Sequence, residues 1–444
     1  MAVRGLLGKE EALRIVGRVL ESSPGDMTEV LLSGGVSYLT RFSDNYIHQN
    51  VADSGHSLRV KVIFGKKIGT ASTNSLDEDA VKEAIETAAR VAELQKPNEE
   101  FEGIPGPEPI PEVNTFFEST FEFSPVDRAR GVKIITDAAQ AKGFKAAGAF
   151  QTGASEICIA NSLGVRAYHR STSAHLRTVV MSDTGSGYAD ALATDVREID
   201  PAEVARIAVE KCEAAQNPEV VPPGEYEVIL EPRAVADMLG YLVRGGFSAS
   251  AVREGRSFLS GKVGEKLFAE QFSLWDDGLD PRGFPMPFDL EGVPKQKVVL
   301  VEKGVVKDLL YDFKTAKKEG RKPTGHGGFG GWGPMASNLF MAPGDATVED
   351  MIKNTKRGIL ITRFHYTNMA HPMRVLVTGM TRDGTFLVED GRITKPVKNL
   401  RFTESALRVF GTMDMVGKDL HRAGRSVVPA IHVPAFNFTG VTEF

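Results

Sequence analysis

Cysteine is almost missing from this chain. Of 444 residues only Cys158 and Cys212 carry thiols, too few for a disulfide framework, and neither belongs to a Cys-x-x-Cys pair. Cys212 follows Val204, Ile207 and Ala208 on one helical face, which predicts a buried structural thiol. Long apolar runs are missing too: none approaches the roughly 18 residues that span a bilayer, and residues 1–11 are too charged for a signal peptide. These absences predict a cytoplasmic chain with no membrane contact. An excess of one charge is also lacking. The 53 basic and 58 acidic residues are scattered, and a net charge of −5 leaves no basic stripe for a nucleic-acid footprint. Nor do the nine histidines form a close pair; His169 and His175 stand six apart, as do His365 and His371. Six residues share a face only along an unbroken strand, so both pairs read as hydrogen-bonded surface or loop histidines rather than metal ligands.

What is present is an ordinary globular composition, 42% hydrophobic and 25% charged, in a chain long enough for about three domains at roughly 150 residues each. Leu13, Val16 and Leu20 predict a first helix over residues 10–20. Strands are predicted at 28–32, 37–42, 47–51 and 56–64, with turns at Asp53-Ser-Gly55 and Gly65-Lys-Lys67. A capping box of Ser75 and Glu78 predicts a second helix running to about Leu94. Residues 95–125 then hold Pro97, Pro105, Pro107, Pro109 and Pro111 among many glutamates, a composition of extended linkers. The plan repeats beyond it: a helix at 126–142, strands at 146–150, 155–160, 165–171 and 175–181, and a helix opened by Asp200-Pro-Ala-Glu203. Both a duplication and two ordinary α+β units would read this way. The predicted fold class is α+β and multi-domain: small helix–hairpin–helix units at 1–96 and 126–221, joined by a linker at 97–125, then a larger strand-rich domain at 222–444.

The third domain opens on the strand 225–230. Pro232 then begins an amphipathic helix, with Val235, Met238, Leu239 and Leu242 on its apolar side and Asp237, Tyr241 and Arg244 on its polar side. After Gly245-Gly246 come Phe247-Ser-Ala-Ser250 and Arg256-Ser-Phe-Leu-Ser-Gly-Lys-Val-Gly-Glu-Lys266. Downstream stand Tyr311-Asp-Phe-Lys-Thr-Ala316, Ser337-Asn-Leu339, Gly358-Ile-Leu-Ile-Thr362 and Glu389-Asp-Gly-Arg-Ile-Thr-Lys-Pro-Val-Lys398. In order and approximate spacing these segments resemble the TldD/PmbA family, the "modulator of DNA gyrase" proteins, over nearly the whole chain.

The resemblance implies a helix that in the TldD branch carries His-Glu-x-x-x-His, with a third zinc ligand from a downstream cysteine. Here Gly240, Tyr241 and Gly245 stand at those helical places, and residues 378–384 hold no thiol. The chain therefore looks like the PmbA or TldE branch. That implies no catalytic residue and no metal or cofactor in this chain, zinc in a TldD-type partner forming a heterodimer with it, and unfolded peptide as substrate. A homodimer is the other assembly considered. The rival reading is a peptidase in its own right, with ligands among His326, His365 and His371.

Other motifs read as bland. Gly325-His-Gly-Gly-Phe-Gly330 matches G-x-G-x-x-G but neither follows a strand nor opens a helix, so it reads as a mobile loop rather than a nucleotide site. The resemblance places this loop near the substrate groove, which makes His326, Phe329 and Trp332, with Asn338, the expected substrate contacts. A loop residue that only touches substrate contributes on the order of 1 kcal/mol, the cost expected for His326→Ala. Gly-x-Ser-x-Gly is absent, and Gly185-Ser-Gly187 reads as a turn. Asp276, Asp277 and Asp280 read as turn residues, since Gly and Pro punctuate the whole segment.

Overall fold

The apolar residues at 30, 32, 58, 60, 62, 158 and 160 recur at every second position, the period that buries one face of a sheet. In the computed structural model, which describes residues 5–328 and 333–442, that pattern runs further than single strands of ordinary length. After α1 (Lys9–Ser22), β1 (Met27–Ser43) and β2 (Tyr46–Phe64) form one long hairpin, followed by β3 (Lys67–Thr73) and α2 (Glu78–Leu94). A short helix α3 (Glu118–Phe121) and α4 (Pro125–Ala141) precede β4 (Lys145–Asn161), β5 (Arg166–Met181), β6 (Ser186–Ala193) and α5 (Pro201–Ala214).

The two units share one sheet. Its order is β3-β2-β1-β4-β5-β6, and β1 pairs antiparallel with β4 from Glu29↔Asn161 to Phe42↔Gly148. The halves are thus related by an approximate two-fold at the β1–β4 seam. All four long helices cover one face, with α1 reaching across to β4 and β5 and α4 reaching back to β1 and β2. The edge strands repeat a detail that the two-fold explains. A Cβ on Gly69 of β3 would lie 2.0 Å from the Ala88 carbonyl oxygen of α2, and one on Gly187 of β6 would lie 2.2 Å from that of Ala208 in α5. Each unit thus seats its last helix directly on strand backbone.

Several sequence expectations change. The separate strands merge, and Asp53-Ser-Gly55 is mid-strand: Gly55 pairs with Gly35, which pairs on its other side with Ser155. A Cβ on Gly35 would meet the Ala154 carbonyl oxygen at 2.6 Å, so glycine serves close backbone approach there and not a turn. β6 went unread because residues 185–187 resemble a turn; Gly185 is in the turn, and the strand begins at Ser186. The α2 cap shifts as well. Ser75 Oγ bonds the Asp77 carboxylate at 2.7 Å and accepts from the Asp77 amide, and Asp77 is the N-cap. A local side-chain turn has displaced the capping box. The second unit's caps stand: Asp200 accepts from the Ala202 amide with Pro201 at the first position. The linker is a strap, not a spacer. The Pro105 carbonyl accepts from Asn161, the Glu102 carbonyl from Lys317, and Thr115 bridges to Ser171 at the edge of β5.

In the third domain β7 (Gly224–Leu230) leads into α6 (Pro232–Gly246) and α7 (Ala249–Arg253). β8 (Leu274–Asp276), β9 (Val298–Glu302), β10 (Val305–Val306), α8 (Phe313–Lys318), β11 (Leu339–Met341) and α9 (Val348–Asn354) follow. Then come β12 (Arg357–His371), β13 (Leu376–Glu389), β14 (Arg392–Pro396), β15 (Leu400–Ser405), α10 (Ala406–Thr412), β16 (Met415–Val416), β17 (His421–Ala423), β18 (Ser426–Val428) and β19 (Ile431–Val441). One sheet runs β12-β7-β19-β15-β13-β14, and pairing of β12 with β13 closes five of its strands into a ring. The second sheet is β10-β9-β8-β11-β18-β17. Met238, Leu239 and Leu242 of α6 bury against Phe364, Phe402 and Phe436 of these strands in the largest core. The helix-free face of the first sheet receives this domain, with Phe288 fully buried against Ile159 and Ala167. No helix among the described residues is long and apolar enough to cross a membrane.

Candidate functional site

Three places around the junction of the first sheet and the third domain carry concentrated chemistry. The first is the polar side of α6. Arg233 reaches the Asp190 carboxylate of β6 at 3.4 Å, and that carboxylate also bonds His175 Nε2 at 3.1 Å. β5 is an unbroken strand, so His169 and His175 do share its face, yet six strand residues hold them about 20 Å apart. His169 is buried and bonds Thr115 Oγ1 at 2.9 Å, correcting its reading as a surface residue. Arg363 pairs with Asp383, which also accepts from Ser186 Oγ at 2.7 Å. Between the arginines lies Asp237. Burial raises its pKa to about 6 against the lowering charges of Arg233 and Arg363.

A carboxyl whose folded pKa exceeds its unfolded value binds more protons in the native state. Stability therefore falls as pH rises from about 4 to about 6, and the penalty is complete above that range. Asp237→Asn should stabilise the chain by about 2 kcal/mol at neutral pH and give almost no gain near pH 4. Urea unfolding at both pH values checks this; a gain that does not change with pH contradicts it.

Zinc needs three or four donors converging at about 2 Å. At the helical places where the resemblance puts ligands, Gly240 is exposed with nothing within 4 Å of its would-be Cβ, Tyr241 packs against the core, and Gly245 has no donor. On β13 the downstream segment 378–384 offers no thiol, and the hydroxyl of its Thr381 accepts from the Leu400 amide. These residues do not fit zinc. Among the described residues no three His, Cys, Asp or Glu side chains are grouped to hold a metal ion.

The second place is a buried polar knot behind the third domain's loops. Asp276 is fully buried in β8, not in a turn, and accepts from His326 Nε2 at 2.8 Å and from the Ser337 and Asn338 amides at 2.7 and 2.8 Å. Asp277 and Asp280 do form turns, accepting from the Leu279 and Arg282 amides. Burial works against the Asp276 anion, but His326, Lys295 and the amides hold its pKa at about 2. His326 is pushed down by burial and by Lys295, so the ring is neutral. Nε2 carries the proton toward the acceptor-only carboxylate, and Nδ1 lies 2.9 Å from Thr324 Oγ1. Burial also lowers buried Lys295 and raises Asp289 to about 6. No sequence signal marks Lys295 and Asp289, because charges in a Gly- and Pro-rich run read as solvated.

The third place is a cleft of about 580 Å³ between the helix-free face and these loops. Ser33, Ser171, Thr194, Phe284, Ser337 and Arg425 line it. Of the expected contacts, His326 and Asn338 lie behind its wall. Asn338 Oδ1 accepts from the Phe284 amide at 2.8 Å, while Nδ2 donates to the Asp277 and Asp280 carbonyls, so it shapes the loop that faces the cleft. Phe329 and Trp332 lie outside the described residues. His365 sits edge-on to Tyr366 on β12 and His371 is exposed at the strand's end. With both His326 nitrogens already bonded, the three histidines proposed as ligands are not brought together. Cys212 is buried, and burial raises its thiol to about 11, as an inert core residue requires.

Three family descriptions match the chain in order: PmbA/TldA metallopeptidase domain 1 over residues 28–92, the central domain over 121–215 and the C-terminal domain over 223–440. Metalloprotease PmbA of Escherichia coli O157:H7 is 22% identical over 439 residues, 95% of this chain and 94% of that one. A metalloprotease TldD homolog of Buchnera aphidicola is 29% identical over 203 residues, 44% of this chain and 41% of that one. An uncharacterized protein of Methanocaldococcus jannaschii is 46% identical over 100 residues, 22% and 24% of the two. The matches to the last two thus span less than half of those relatives' lengths. Among solved structures, TldE from Thermococcus kodakarensis superposes with a TM-score of 0.86 at 24% identity, over 97% of this chain and 99% of that one. A Thermotoga maritima protein described as a putative modulator of a DNA gyrase gives 0.86 at 22%, over 96% and 99%.

Proposed function

Because the chain belongs to the PmbA/TldD metallopeptidase family, we propose that it is the non-catalytic, TldE-like subunit of a complex whose TldD-type partner holds the zinc. The observation that carries this is α6: it keeps the strand–helix setting of the third domain, and Gly240, Tyr241 and Gly245 stand near the helical places where the resemblance puts ligands. In this reading the chain contributes the wall of a cleft that admits an unfolded peptide. The cleft of about 580 Å³ supports that role, since its lining is mostly apolar with hydroxyls of Ser33, Ser171, Thr194 and Ser337 set into it, the mixture that suits a ligand with both apolar side chains and backbone polar groups.

The purified chain, dialysed at neutral pH, should hold no stoichiometric zinc by elemental analysis. One tightly bound zinc per chain would overturn the reading and promote an independent peptidase with unforeseen ligands.

A further inference from the structure

The hairpin of β17 and β18 carries two arginines that are put to different uses. Ala423 pairs with Ser426, and Gly424, at a φ of 63° that favours glycine, opens the two-residue turn between them. Arg422, ahead of the turn, is spent on anchoring: its guanidinium pairs with Glu198 of the second unit at 2.7 Å and donates to the Arg282 and Pro281 carbonyls. Arg425, in the turn, has a fixed backbone and an unspent side chain. Its carbonyl accepts from the Leu339 amide at 3.1 Å, while its exposed guanidinium has no hydrogen-bond or ion-pair partner among the described residues.

Arg425 lines the cleft of about 580 Å³, and so does a hydroxyl in the same condition. Ser337 stands two residues before Leu339 on that wall, and its Oγ is buried without a partner among the described residues. A buried hydroxyl left unpaired is costly, so it marks a place where a polar group belongs. The other ionisable groups of the lining are engaged. Glu156 accepts from the Leu7 and Gly8 amides and from the Tyr168 hydroxyl. His169 is bonded to Thr115, and burial keeps it neutral by lowering its pKa to about 4. The cleft thus offers one free positive charge and one orphan O–H beside a wall of Phe284, Pro285 and Met286. A guanidinium with a hydroxyl donor near it is a cradle for a carboxylate. The volume is that of a small-ligand pocket, room for the end of a chain rather than for a long extended run.

We propose that Arg425 and Ser337 capture the C-terminal carboxylate of an unfolded peptide whose last side chain, apolar, packs on Phe284 and Met286. This rests on the reading of the cleft as a peptide-binding wall and deepens it: the ligands become chain ends with a free carboxylate, and internal segments bind less well. An aspartate or glutamate side chain offers the same chemical group, and the test separates the two.

Three labelled peptides of one short unstructured sequence are titrated with the full chain by fluorescence anisotropy: one ends in leucine with a free carboxylate, one in leucine amide and one in glutamate amide. The leucine acid should bind at least about tenfold more tightly than either amide. Arg425→Ala should bring the acid down to the affinity of the leucine amide, and Arg425→Lys should keep part of the preference. Ser337→Ala should weaken the acid by a few fold and leave the leucine amide unchanged. Because Arg425 is exposed and unpaired, thermal melting of Arg425→Ala should match wild type. Equal binding of acid and leucine amide would overturn the carboxylate site and leave the peptide-binding wall standing. A preference that survives Arg425→Ala, or a glutamate amide that matches the acid, would overturn the C-terminal assignment in the same way. Absence of binding by all three peptides would overturn the wall and the carboxylate site together.

Discussion

Mixed with a TldD-type subunit, this chain should support chelator-sensitive cleavage of an unfolded peptide, and alone it should cleave nothing. The expectation follows from separating a cleft from a water-activating centre. Metal-assisted hydrolysis requires a bound cation that lowers the pKa of water and an open coordination position beside substrate. In this chain the exposed helical place is Gly240, Thr381 Oγ1 is already bonded to the Leu400 amide, and both ring nitrogens of His326 are taken. On the proposed reading this chain contributes surface that positions a peptide, and positioning alone cannot replace a nucleophile held by the partner. The assay compares each chain alone with the mixture, with and without chelator, and mass spectrometry establishes that each preparation is free of the other subunit. Cleavage by this chain alone that a chelator abolishes would place it on the catalytic side. Equal cleavage by the partner alone and by the mixture would remove it from the cleft.

The periodic parts of this fold were legible and the crossings were not. α1, α4 and α6 lie within a few residues of their sequence readings because apolar spacing and Pro at the first turn are local signals. The long strands were read as fragments because Gly34, Gly35 and Gly55 look like turn residues, whereas close approach between neighbouring strands is a tertiary demand that local spacing does not record. The same holds for the sheet shared by the two units, since nothing local in residues 27–43 announces residues 145–161 as their partner. At the site, the sequence located the helix α6. It read the loop that holds His326 as exposed and mobile because glycine-rich flanks look solvated, whereas His326 and Asn338 are buried. A buried histidine needs an aspartate fifty residues away to be satisfied, and that pairing is visible only in three dimensions.

Replacing Asp276 by alanine should cost about 3–5 kcal/mol of unfolding free energy, the range for removing one partner of a buried ion-pair network. The carboxylate is fully enclosed and takes three hydrogen bonds, from His326, Ser337 and Asn338. Its loss strands two backbone amides and an imidazole N–H, and it removes one of the two carboxylates that offset buried Lys295. His326→Ala should cost less, about 2 kcal/mol, because Asp276 then keeps both amides and the lysine charge. That is still above the 1 kcal/mol expected of a loop residue touching substrate. It should appear in stability rather than in catalysis by the assembled complex, since His326 lies behind the cleft wall. The pH dependence has a definite sign. With its folded pKa near 2, below the ordinary value of 3.8, Asp276 stabilises the fold fully above about pH 4 and loses that contribution as pH falls through 2. Urea unfolding of wild type, Asp276→Ala and His326→Ala at neutral pH and near pH 3 should therefore show the wild-type advantage over Asp276→Ala shrinking in acid. An Asp276→Ala protein within 1 kcal/mol of wild type, or a His326→Ala protein of unchanged stability but reduced peptide cleavage, would return His326 to the substrate side of the wall.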